Sequence, residues 1–91
     1  MPKGEVYTEQ RVLAEPKVYP NPTRDNFIVK TSLKENEEIE IRVYDNVGRI
    51  VNVTKGVNEE TNISLGNQPA CIYYVRFLQN EKTYSYKVVK L

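Results

Sequence analysis

The 91-residue sequence has no histidine, no tryptophan and a single cysteine. Without histidine it lacks the commonest general base and the commonest metal ligand. Cys71 has no second cysteine to pair with and no imidazole to activate it, so neither an internal disulfide nor a cysteine nucleophile is available. It is read instead as a small, half-buried residue where a strand begins. One cysteine also leaves the redox compartment open. An excess of charge is missing as well: 13 Lys and Arg stand against 12 Asp and Glu, for a net charge of +1. That balance argues against a nucleic-acid face, which needs clustered positive charge. No apolar run is long enough to cross a bilayer. The first residues, Met1 to Glu5, lack the apolar core of a secretory leader, so any export signal is expected upstream. Glu37, Glu38 and Glu40 lie close together but lack the spacing of a calcium loop. A domain this small leaves little room for the cleft that paired glycosidase carboxylates require. No catalytic residue, cofactor or metal ligand is therefore nominated, and the chain is not read as an enzyme.

What is present is alternation. Tyr73, Val75 and Phe77 share one face of a run whose other face carries Tyr74 and Arg76, the period-two pattern of a half-buried strand. Ile39, Ile41 and Val43 alternate with Glu40 and Arg42 in the same way. Shorter runs occur at Val18-Tyr19, at residues 27–30, 49–54 and 61–65, and from Thr83 to Leu91. Turn residues separate them. Pro20-Asn21-Pro22 makes a stiff, extended corner, because proline fixes φ and restricts the residue before it. In Asp45-Asn46-Val47-Gly48, Gly48 supplies the positive φ that closes a hairpin. Gly56 opens a loop, and Gln79 to Lys82 make the last polar turn. About seven short strands and no helix predict an all-β, immunoglobulin-like antiparallel β-sandwich. Residues 1–16 read as a linker to an upstream domain, and the fold begins at residue 17. The seven tyrosines raise the question of sugar stacking, with Tyr44, Tyr74, Tyr84 and Tyr86 as candidates. With no tryptophan present, structural strand positions are the preferred reading. Two glycosylation acceptor patterns, at Asn52 and Asn62, fall within strands and are taken as chance.

Several short pieces stand in a familiar order. V-Y-P-N-P covers Val18 to Pro22, and V-Y-D-N-V-G-R covers Val43 to Arg49. I-S-L follows at Ile63 to Leu65, P-A-C-I-Y-Y-V-R at Pro69 to Arg76, and K-V-V-K-L at Lys87 to Leu91. From residue 17 to 91 the chain resembles the type A C-terminal sorting domains of the type IX, or Por, secretion system of Bacteroidota. That resemblance implies an address. Such domains guide an upstream cargo from the periplasm through an outer-membrane translocon to the cell surface. A cysteine-protease sortase there removes them and joins the cargo to anionic lipopolysaccharide. The implied partners are translocon and shuttle components, the sortase and the cargo domain, with no nucleic acid and no membrane span. Cleavage is expected in or just before residues 4–15.

The candidate recognition residues are Pro20, Asn21, Pro22, Gly48, Arg49, Cys71, Tyr73, Val75, Lys87, Val88, Val89, Lys90 and Leu91. Lys87, Lys90 and the carboxylate of Leu91 are expected to form a charged edge, either as protection against aggregation or as a site where a translocon adds its own strand. Two departures from the family pattern stand out. Cys71 replaces the usual glycine of a G-x-Y motif, so the backbone there must accept a side chain. Asn80-Glu81 replaces Asn-Gly, and since Glu disfavours positive φ, a longer final loop is expected. The competing class is an adhesion or carbohydrate-binding sandwich retained on a secreted protein.

Overall fold

The computed structural model describes residues 15–34 and 36–91; the expected linker thus lies outside the described residues over 1–14. All regular structure in the described residues is strand: β1 (Lys17–Tyr19), β2 (Asn26–Lys30), β3 (Ile39–Tyr44), β4 (Ile50–Gly56), β5 (Glu60–Ser64), β6 (Ile72–Gln79) and β7 (Lys82–Val89). They form two antiparallel sheets, with strand orders β1-β2-β5 and β4-β3-β6-β7. This is the immunoglobulin-like sandwich expected. Here the fourth strand joins the sheet of β3, β6 and β7, whereas in constant-type antibody domains it joins the other sheet.

The alternation in the sequence becomes the two faces of each sheet. Phe27, Val29 and Ile63 from the first sheet meet Ile41, Val43, Tyr73, Val75, Phe77 and Val88 from the second in one buried cluster. Each such side chain contributes about 1.5–3 kcal/mol through removal from water. Glu40, Arg42, Tyr74 and Arg76 point outward from the second sheet.

Two turn expectations are corrected. Gly56 does not open a loop; it is the last residue of β4, paired with Ile39. It is buried, and a Cβ there would meet Thr61 Oγ1 at 2.7 Å, so glycine is needed for close approach between the sheets. The final hairpin is not long. Gln79 pairs with Lys82, and Asn80 and Glu81 form a two-residue turn with φ of 54° and 64°. The local preference of Glu81 yields to register. Eight pairs join β6 and β7, the buried Gln79 amide donates to Ser32 O at 2.7 Å, and Lys82 Nζ lies 5.1 Å from the Tyr84 ring centroid. A longer loop would unmake those contacts.

Candidate functional site

The β1–β2 corner, the β3–β4 hairpin, the β5–β6 loop and the end of β7 share one end of the sandwich. The corner organises it. Both Tyr19-Pro20 and Asn21-Pro22 are cis peptides, and the Asn21 side chain reaches the outer edge of β7. Its Nδ2 donates to Lys87 O at 2.7 Å, and its Oδ1 accepts from Val89 N at 3.0 Å. One amide thus makes the two bonds that a residue of a further strand would make. Two residues on, Thr23 continues the seam through its backbone: Thr23 N donates to Val89 O and Leu91 N donates to Thr23 O, both at 2.8 Å. Thr23 is buried, and its hydroxyl donates to Asn26 O at 2.5 Å while accepting from Asp25 N at 3.2 Å. This fixes the turn into β2.

The expected open edge at Lys87 to Leu91 is therefore corrected. Lys87 O, Val89 N, Val89 O and Leu91 N are already bonded to Asn21 and Thr23, so a partner strand would have to displace these bonds to pair with residues 87–91. Lys90 is likewise not an edge charge. Its ammonium donates to Gly66 O at 3.0 Å and to Gln68 O, tying β7 to the β5–β6 loop. Lys87 stays exposed.

The neighbouring hairpin is built on Asp45. Its Oδ1 accepts from Val47 N at 3.0 Å and Arg49 N at 2.9 Å, and its Oδ2 takes Arg49 Nε at 2.8 Å. The Arg49 amide, with help from its guanidinium and the Val47 amide, holds the Asp45 carboxyl below the usual range despite its burial. Gly48 closes the turn at φ 90°, as its sequence position predicts. On β6 the Tyr73 hydroxyl donates to Pro69 O at 2.5 Å, four residues back, in the manner of the tyrosine corner of immunoglobulin-like domains. Burial raises its phenol above the ordinary value and keeps it a donor.

The candidates read from sequence divide into two groups. Pro20, Asn21, Pro22, Gly48, Arg49, Cys71, Lys87, Val89, Lys90 and Leu91 come together at this end, whereas Tyr73, Val75 and Val88 are core. Cys71 is half-buried just ahead of β6 and exchanges backbone bonds with Lys90 at 3.1 and 2.9 Å. It is not among the residues with positive φ, so its backbone imposes no need for glycine. Thr23 and Asp45 were missed. A Ser, Thr or Asp followed two residues later by an amide to bind is the local signal, and it is common in turns. Of the four tyrosines considered for stacking, Tyr84 and Tyr86 stack with Phe77 on the core side, at centroid distances of 5.4 and 6.2 Å. Tyr86 also donates to Pro16 O at 3.1 Å.

The fold and this end define a small immunoglobulin-like module whose corner and last strand are locked into one surface. Residues 17–91 match the family described as the secretion system C-terminal sorting domain, and the chain belongs to that family, the sorting domains of the type IX or Por secretion system. No curated protein matches the sequence. Among solved structures the fold is similar to part of PorZ from Porphyromonas gingivalis, described as an essential bacterial surface component of the type-IX secretion system. The TM-score is 0.67 at 17% identity, over 84% of this chain and 11% of that one. The chain thus spans about a tenth of the length of that protein, and the likeness is one of fold.

Proposed function

We propose that this domain is a removable address. It carries an upstream cargo from the periplasm through the outer-membrane translocon of a type IX system, and a surface sortase then cuts it away. The machinery reads the composite end where the V-Y-P-N-P corner meets K-V-V-K-L. The observation that carries this reading is the Asn21 amide, which bonds Lys87 O and Val89 N and so joins two family motifs 66 and 68 residues apart into one surface. Gly48, Arg49 and Cys71 border that surface, and Tyr73, Val75 and Val88 hold it from beneath. Cleavage falls in or just before residues 4–15, a stretch of which 4–14 lie outside the described residues.

The test is a reporter with its own Sec leader, fused to residues 1–91 and expressed in a bacterium with a type IX system. Cell fractions are blotted and the surface form is weighed by mass spectrometry. The reporter should reach the surface without residues 17–91. Lys87→Gln, which leaves every described hydrogen bond in place, should make the uncleaved fusion accumulate in the periplasm. Equal export with and without the domain would sink the address. A surface reporter that keeps residues 17–91 would favour a retained binding module.

A further inference from the structure

The outer face of the four-stranded sheet meets the end just described only at Lys87 and the Asp45–Gly48 turn and extends away from it. Arg42 on β3 and Arg76 on β6 are direct cross-strand partners. Opposed Cβ atoms on antiparallel strands lie about 5 Å apart, and like charges so placed destabilise a sheet. The same row continues outward to Val53 on β4 and Ser85 on β7. In the adjacent row Tyr44 opposes Tyr74, which opposes Lys87. Glu40 accepts from Arg42 Nε at 3.0 Å, and Glu38 takes Lys55 at 3.2 Å. Arg76 and Lys87 have no carboxylate partner among the described residues. Beside the arginine pair lie two open concavities of 470 and 500 Å³, bordered by Leu78 and Thr83 on one side and by Tyr74 and Ser85 on the other. Leu78 is 60% exposed and Val53 55%.

We propose that this face docks an acidic polypeptide, with a carboxylate set across Arg42 and Arg76 and apolar side chains laid on Tyr44, Tyr74 and Leu78. A carboxylate between the two guanidiniums turns a repulsive pair into a binding element, since the planar fork of arginine takes carboxylates through two parallel bonds. Arginine and tyrosine at the centre, with aliphatic side chains around them, is the composition of interface anchors. The exposed apolar flanks extend beyond the arginine pair, which suits a polypeptide better than a small anion. Glu38 and Glu40 line the first concavity beside Arg42, which confines the positive patch and repels a continuous anionic surface such as a lipid bilayer.

The probe is a synthetic peptide alternating Asp or Glu with Leu and Tyr, titrated into the isotope-labelled chain while amide resonances are followed. Inorganic phosphate and phosphatidylglycerol vesicles are run in parallel. The peptide should shift the amides of Tyr44, Tyr74, Arg76 and Ser85, and its affinity should fall as salt rises. The double variant Arg42→Gln/Arg76→Gln should lose at least about tenfold in affinity while staying folded, because the Arg42–Glu40 pair it removes is half exposed and contributes little, and the arginine repulsion is relieved. Lys17→Gln and Lys30→Gln on the other sheet should change nothing. Unchanged affinity in the folded double variant overturns the proposal. So does failure of the peptide to bind, or binding of vesicles or phosphate at this face when the peptide does not bind.

Discussion

Asp45 illustrates how much one side chain can settle. Its two oxygens receive two backbone amides and the Arg49 guanidinium, which fixes the Asp45 to Arg49 turn. Because folding lowers its pKa, its contribution is complete above the unfolded value of about 3.9 and is lost as pH falls through the lower folded value. Asp45→Asn should therefore lower the urea midpoint at neutral pH. It should also flatten the fall in that midpoint from about pH 5 downward, as a paired pH series of denaturation curves would record. A variant whose acid limb matches that of the parent would show that other carboxylates set the acid response. Gly48 was legible in the sequence because positive φ is a property of glycine itself. The role of Asp45 was not, because it depends on how the hairpin brings amides back onto the carboxylate.

Two elements make the same point about register and edges. Glu81 occupies the left-handed region at φ 64°, a cost of about 1–2 kcal/mol for a residue with a Cβ. Glu81→Gly should stabilise the domain by about 0.5–1 kcal/mol, because glycine avoids that cost but adds freedom to the unfolded chain. Thermal melts followed by circular dichroism would measure it, and a lower midpoint would contradict the two-residue turn. The sequence of this turn pointed to a longer loop because propensity is local, whereas the β6–β7 pairing that overrides it is not. At the β7 edge, Asn21→Ala removes two hydrogen bonds and should cost about 1–2 kcal/mol. Hydrogen exchange should speed up at Val89 N–H, which loses its acceptor, and much less at Lys90 N–H, which bonds Cys71 O. Equal acceleration at both would mean that the strand frays as a whole. No periodicity in the sequence announces this clamp, since a side chain standing in for a strand leaves no pattern.

At the scale of the whole molecule, the strands and the core were readable because a sandwich imposes period two on every strand it half buries. Ile39, Ile41, Val43, Tyr73, Val75 and Phe77 all fall inward as the alternation requires. Which sheet β4 joins was not readable, since alternation gives a strand's faces and not its neighbours. The export test above also carries a prediction at this scale: an Asn21→Ala fusion that remains folded should reach the surface less efficiently than the parent. Fractionation would show it, and parental efficiency would separate the clamp from recognition. The clamp has a mechanical side too. Thr23 and Lys90 form a parallel bridge, so a tug on the chain ahead of Pro16 and an opposite tug at Leu91 slide the two segments past one another. In that geometry the bonds from Thr23 and Asn21 to β7 bear the load together and do not open one after another, as a zipper would. Such a pull meets the short β1–β2 pairing first, and behind it stands a seam whose bonds are loaded in shear.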